Sequence, residues 1–428
     1  MTRTLDPYKY LQRLTGLGIR MDLGAVRGAF AALGNPAGSY PSVLVGGTNG
    51  KGSVAAMIAS ILAAAGRSVG LYTSPHLVDV RERIRINDRM ISRQELAEAI
   101  TAIERLLPEP LTYFEFLTVL AGFYFRSRGV DLAVVEVGMG GRLDATRVFA
   151  SPVTVITNIS LDHQEYLGSR LVDIAGEKAA IVPRGGQCIT GVRQPAAVGI
   201  IAAVCRERGA SLRRLGQEIK VCCRRDGTFT YRDTVRRFSG LSCGLAGRHQ
   251  RHNAALAVAA AHAVAGGSGI PEEAVHTGLS GVHWEGRLEV LHEDPPVVID
   301  GAHNPAGIGT LCRALAEGFS YRRLIVVFGV LRDKEYRRMM GKLAALRPRL
   351  ILTCPAGERA LPPGALKELS EGMSLAAEVV PSPAAALCRA LAVARRGDLV
   401  CVTGSLYLVG EIKKAFPSLR TMIAAQGK

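Results

Sequence analysis

Hydrophobic positions fall along this chain in two rhythms, short unbroken apolar runs and longer stretches of helical spacing. The runs SVLVGG (42–47), DLAVVEVG (131–138) and PVTVITNI (152–159) are β-branched and bounded by Gly, Pro or polar residues, the pattern of strands buried on both faces. Behind the first run, Val54, Met57, Ile58, Ile61 and Leu62 recur at helical spacing, which predicts a helix stopped at Gly66. From residue 297 the alternation restarts with VVID (297–300), RLIVVFG (323–329), RLILTC (349–354) and LVCVTG (399–404), separated by Ala- and Leu-rich helical stretches. The expected fold is α/β, with a parallel-sheet N-terminal domain over residues 1–289 and a smaller doubly wound α/β domain over 290–428. Between 210 and 240 the chain turns polar and Arg-rich, which predicts a surface hairpin or insertion.

Composition agrees with two domains, since 428 residues exceed the roughly 250–300 at which one core stops growing. The net charge of +16 favours anionic partners without choosing among them. The basic residues are dispersed and lack the interleaved aromatics of a single-strand binding platform, so nucleic acid is not the expected partner. Nine cysteines, an odd number with no CxxC, point to a reduced compartment. The start carries no apolar leader, and the Ala-rich stretches near 54–65 and 254–265 are too short to span a bilayer, so the expectation is a cytoplasmic protein without a membrane partner.

The chemistry concentrates first in GGTNGKGS (46–53), between the first strand and the first long helix. Thr48, Asn49, Gly50, Lys51, Gly52 and Ser53 form a turn whose glycines let backbone N–H groups approach phosphate oxygens, with Lys51 reaching the β/γ phosphates and the Ser53 hydroxyl serving phosphate or magnesium. Three residues, not four, separate Gly46 from Gly50, so this is a variant of the standard phosphate-loop spelling and marks a P-loop-type ATPase domain. Glu136 ends a buried strand and His163 follows another; each reads equally as a magnesium-site residue or as a structural side chain. Read from the residues alone, Asn253 caps the Ala-rich helix after it and Asp300 ends a strand.

GTNGKGS resembles the Mur-type amide ligases. The strings YTSPHLVDVRERIRIN (72–87), LTYFEFLT (111–118), VEVGMGGRLDATR (135–147), LDHQEYLG (161–168), EKAAI (177–181), HNAALA (252–257), GRLEV (286–290), DGAHNPAG (300–307) and GSLYLVGE (404–411) narrow the resemblance to the folylpolyglutamate and dihydrofolate synthases over nearly the whole chain. That resemblance implies a monomeric ligase that uses ATP and Mg2+ to join L-glutamate to dihydropteroate, to reduced folates, or to both. It puts Ser74, Glu136 and His163 on the magnesium positions and Lys178 on a lysine often carried as a carbamate. Asn253, Arg287 and Asp300 take nucleotide positions, and His303 beside Asn304 helps close the site. Asp22, Leu23, Gly24, Ala25, Thr112, Tyr113, Phe114, Glu115, Leu143, Asp144 and Ala145 take pterin positions, with Tyr113 and Phe114 as flat faces and Asp144 or Asp22 pairing an aminopyrimidine edge. A P-loop ATPase coupled to nucleic acid would share the loop and the charge but not the glutamate dependence.

Overall fold

The computed structural model describes residues 6–18 and 20–426. They divide into two units, the first running to residue 75 and then through 80–244 and 250–283, the second taking 76–79, 245–249 and everything from 284 on.

The first unit is built on eight strands in the spatial order Arg89–Met90, Ile84–Ile86, Val69–Tyr72, Leu132–Glu136, Ser42–Gly46, Val153–Ile156, Gln187–Thr190 and Ser211–Arg214. Six of them run parallel, and the two at one edge form an antiparallel extension. Ser42–Gly46 is buried at every position between Leu132–Glu136 and Val153–Ile156. The loop leaving Gly46 therefore emerges mid-sheet at the C-terminal edge of the parallel strands, where open α/β sheets bind ligands.

The helix after that loop, Lys51–Ala64, buries the predicted stripe and also Gly52, Ser53, Ala55, Ala56 and Ala59. Its second face is covered by helix Glu272–Gly281, which approaches through Gly278. A Cβ added there would stand 2.5 Å from Ile61 Cα and 2.7 Å from Ile61 N. Ser60 Oγ donates to Gly278 O (2.7 Å) across the same contact.

Two expectations need correction. The apolar run 152–159 is a strand only to Ile156; Thr157–Ser160 are loop. Residues 210–240 are more than a surface hairpin: Ser211–Arg214 joins the main sheet as its edge, and Lys220–Cys223, Phe229–Arg232 and Arg237–Leu241 make a three-stranded antiparallel sheet. One face of it is core, with Phe229, Tyr231 and Leu241 buried. Asp233 accepts from Tyr231 Oη (2.7 Å) and from Arg213 Nη2 (2.6 Å), so an ion pair pins the small sheet to the large one. Alternation of buried and exposed residues made this segment look polar overall.

In the second unit six strands lie in the order Glu289–Glu293, Pro296–Asp300, Leu399–Thr403, Leu324–Phe328, Arg349–Leu352 and Ala377–Val379, antiparallel only at the first pair. Val298, Val326, Leu350 and Cys401 pack on helices Pro305–Gly318, Tyr336–Ala344 and Pro363–Gly372, while Val297, Ile325, Ile351 and Val400 pack on Pro383–Val393 and Leu406–Gln426. Both faces are covered, which explains why these strands read as continuous apolar runs. No helix among the described residues is long and apolar enough to cross a membrane.

Gly278→Ala is expected to lower the urea-unfolding free energy by about 1–3 kcal/mol, because backbone atoms of the partner helix cannot yield to the added methyl. Gly199→Ala, in helix Pro195–Glu207 with nothing within 4 Å, is expected to raise it by about 0.5–1 kcal/mol. Equal effects of the two changes would contradict the close approach of the two helices at Gly278.

Candidate active site

Helix Lys51–Ala64 starts at Gly50, which is left-handed (φ +81°) and offers no side-chain cap. A helix N-terminus in that state presents its first N–H groups to an anion. Beside it the Ser53 hydroxyl is buried with no hydrogen-bond partner, a donor set that a phosphate oxygen or a metal ion would complete. Lys51 Nζ donates to Thr48 O (3.3 Å) at the base of the loop.

The loop backbone is held from outside. Thr48 N donates to Asn158 O (2.9 Å), and the Thr48 hydroxyl accepts from Ser160 N (3.0 Å) and reaches Ser160 O (3.2 Å). Asn49 N donates to Asn158 Oδ1 (3.0 Å), and Asn49 O accepts from Asn158 Nδ2 and Thr157 Oγ1, both at 2.7 Å. Gly47, at φ +132°, lies so close to the Thr157 side chain that no Cβ fits. Thr157, Asn158 and Ser160, which hold the loop, are residues that sequence reasoning missed. Their signal is the polar TN after the VTVI of the strand, hidden because the run reads as strand to residue 159.

Lys178, in helix Leu171–Ala179, is buried and donates Nζ to Gly47 O (3.0 Å). Burial, then the charge of Lys51, pushes its amine down to about 7, with Asp162, Asp144 and Glu177 acting the other way. Asn253 sits on the loop's other flank, where a Cβ on Gly50 would meet its amide at 3.1 Å. It lies inside helix Arg248–Ala265 and not at its start, so the capping alternative is excluded; its Nδ2 donates to buried Gln250 Oε1 (2.8 Å). Glu136, the buried last residue of its strand, accepts from Ser74 N (3.0 Å) and so joins two of the magnesium candidates. His163 is left-handed (φ +51°) at the head of the short helix Gln164–Leu167, and its N–H meets Asp162 Oδ1 (3.0 Å). Among the described residues no three His, Cys, Asp or Glu side chains converge as a ready-made metal cage; magnesium takes one or two protein ligands with phosphate and water.

The pterin candidates are placed by local capping. Asp22 is exposed and accepts from Gly24 N (2.7 Å), opening helix Gly24–Ala32, in which Ala25 is buried next to buried Leu23. Thr112 and Glu115 form a capping box for helix Tyr113–Ser127, Glu115 Oε2 accepting from Thr112 N and Oγ1, each at 2.8 Å. Glu115 Oε1 is buried and unpartnered. The Arg83 guanidinium lies over Tyr113 (5.4 Å), and the Phe114 ring covers Gly138 with 2.5 Å to an added Cβ. Asp144 accepts from Thr146 N (3.0 Å) and Met139 N (2.9 Å), holding half-buried Leu143 and buried Ala145 at the start of a 3-10 turn; burial pushes its carboxyl up against those bonds.

In the second unit Arg287, Asp300 and His303 meet at one strand end. Asp300 accepts from Leu288 N and Ala302 N, each at 2.9 Å, and burial pushes its carboxyl up while Arg287 opposes the shift. A Cβ on Gly301 would stand 2.7 Å from Arg287 Nη1. His303 Nδ1 is 2.9 Å from Gly301 O, and Asn304 caps helix Pro305–Gly318 through Gly307 N (2.8 Å).

Burial of Lys178 couples stability to pH. Its folded pKa of about 7 lies below the ordinary lysine value near 10.4, so between those limits the unfolded chain binds more protons and stability rises with pH. In CO2-free buffer the unfolding free energy is expected to climb from pH 7 to 9, by at most about 1.4 kcal/mol per unit from this group, and Lys178→Met should reduce the climb. An unchanged slope in the variant would contradict the burial of a neutral amine.

Residues 45–261 match the Mur ligase middle domain, and residues 286–406 match the Mur ligase glutamate ligase domain. Over 405 residues the chain is 38% identical to the folylpolyglutamate synthase of Lacticaseibacillus casei, spanning 90% of this chain and 91% of that protein. The dihydrofolate synthase/folylpolyglutamate synthase of Bacillus subtilis is 33% identical over 96% of this chain and 98% of its own. Among solved structures, E. coli FolC in complex with DHPP and ADP matches with a TM-score of 0.91 at 31% identity, covering 97% of this chain and 99% of that one. By sequence and by fold, the chain belongs to the folylpolyglutamate synthase and dihydrofolate synthase family of the Mur ligases.

Proposed function

We propose that this protein is an ATP-dependent amide ligase that adds L-glutamate both to dihydropteroate and to the glutamate tail of reduced folates. The observation that carries the reading is the phosphate loop, where Lys51, Lys178, an uncapped helix N-terminus and the orphaned Ser53 hydroxyl gather around one stretch of backbone. The E. coli relative is described with ADP and DHPP, which fits a nucleotide on this loop; the pterin is assigned to the Thr112–Glu115 and Leu143–Ala145 segments.

In the first step a substrate carboxylate oxygen attacks the γ-phosphorus of ATP and the bond to the departing ADP oxygen breaks, leaving an acyl phosphate. In the second the glutamate amine attacks the acyl carbon, inorganic phosphate leaves with the bonding pair, and the amine gives up a proton. Lys51 and the N–H groups of the helix start would offset charge on the transferred phosphoryl, so the protein's contribution is positioning and electrostatics. Magnesium, when bound, neutralises phosphate charge; Ser74, Glu136 and His163 are the positions that would hold it, and the buried Glu136 carboxylate and the orphaned Ser53 hydroxyl are hard oxygen donors of the kind it prefers. Asn253 suits a base edge, Arg287 a phosphate and Asp300 a ribose; His303 completes the set. Lys178, neutral in good part near pH 7, is suited to take up CO2 as a carbamate. A 13C-bicarbonate NMR carbamate signal lost in Lys178→Met tests this, and its absence from the wild type refutes it. Tyr113 and Phe114 offer ring faces, and the unpartnered Glu115 Oε1 offers the acceptor for an aminopyrimidine, a role Asp144 is less free to fill because it is already bonded to Thr146 and Met139.

The test is glutamate-dependent ADP release with Mg-ATP and either dihydropteroate, tetrahydrofolate or no pterin. Turnover with both pterins is expected; turnover with the folate alone would restrict the enzyme to chain extension, and release indifferent to pterin and glutamate would refute the ligase. In the same assay Glu115→Gln, which keeps the capping box, is expected to raise KM for dihydropteroate about tenfold, the worth of a hydrogen bond to a charged group, while leaving KM for ATP nearly unchanged.

A further inference from the structure

Away from the phosphate loop, the first unit carries a cavity of about 420 Å³ floored by Leu44, Phe149 and Val182 and rimmed by Arg147, Arg184 and Arg208. Pro183 and Arg184 come just before strand Gln187–Thr190, and Ser151, also in the lining, just before Val153–Ile156. The cavity is thus reached at the N-terminal edge of the parallel strands, whereas the phosphate loop leaves at their C-terminal edge.

The three guanidinium groups lack the carboxylate partners that several other arginines of this chain have. Arg89, Arg214 and Arg323 sit on Glu95, Glu218 and Asp398 at 2.5–2.7 Å. Among the described residues none of the cavity's three arginines is ion-paired, although Glu207 contributes to the same lining. Two of them are oriented by neutral carbonyls instead: Arg147 Nη1 donates to Arg142 O (2.7 Å), and Arg208 Nη1 donates to Ala180 O (3.0 Å) and to Val182 O. Arg147 and Arg208 are half-buried, and Arg147 feels the like charges of Arg208 and Arg27. Gathering partly desolvated cations without a counter-charge is unfavourable unless an anion completes the group.

We propose that this cavity binds a small polyanion, either a phosphorylated metabolite or a polycarboxylate. Guanidinium groups anchored along one edge keep N–H donors for bidentate bonds to phosphate or carboxylate. The volume lies in the range that small-molecule pockets occupy, and the apolar floor leaves room for a carbon skeleton. No residue of the proposed reaction lines the cavity, so the site stands independently of the ligase reading.

The test is isothermal titration of inorganic pyrophosphate and of citrate into the protein with excess ADP, which occupies the phosphate loop, in magnesium-free buffer. One saturable site is expected for at least one probe, and Arg147→Gln and Arg184→Glu are each expected to weaken it at least about tenfold, as loss of a charge-assisted contact should. Arg184 is exposed and makes no hydrogen bond among the described residues, so its variant should keep the wild-type melting curve. Tighter pyrophosphate assigns a phosphorylated ligand, and tighter citrate a polycarboxylate. Absence of binding by both probes, or a site that Arg184→Glu weakens less than tenfold, overturns the proposal.

Discussion

The site rests on one constraint, the pinning of a loop that has no regular structure of its own. Residues 47–49 leave a buried strand and must reach a helix start with their N–H groups turned toward an incoming anion. Asn158 holds Asn49 by both ends of its amide, Ser160 and Thr48 bond each other twice, and Lys178 takes the carbonyl of Gly47. These bonds satisfy backbone groups of a loop in which Gly47 and Gly50 both have positive φ. Phosphate binding then needs little rearrangement, which is what preorganised electrostatics requires.

The electrostatics of the site follow from the same packing. Burial first, and then the charge of Lys51 on the same loop, lowers the proton affinity of the Lys178 amine. Carboxylates stand near but occupied: Asp144 folds the glycine-rich loop after Glu136, and Asp162 holds the His163 N–H. The net result is a cradle of backbone N–H groups and the Lys51 cation, with the buried amine of Lys178 beneath it and the buried Glu136 carboxylate held by Ser74 N.

The central strands were legible because burial on both faces leaves continuous apolar runs, and the first helix because its stripe has the right period. Its all-round burial was not legible, since nothing local reveals that Gly278 brings a second helix against it. The 210–240 sheet was obscured by its own alternation, and the clamp residues Thr157–Ser160 by the apolar run they end. Lys178 was found by resemblance, but its hydrogen bond to Gly47, 131 residues away, belongs to the tertiary fold. The three arginines of the cavity come from three separated segments, where in sequence each looks like an ordinary solvated cation.

The most direct measurement is ADP affinity of Asn158→Ala by titration calorimetry, beside its thermal melt. Loss of two side-chain hydrogen bonds to Asn49, at about 0.5–1.5 kcal/mol each, should weaken ADP roughly tenfold or more with only a small change in melting temperature. Wild-type affinity in the variant would mean that the loop holds its shape without the clamp, and would contradict the pinned phosphate loop as the structural basis of the site.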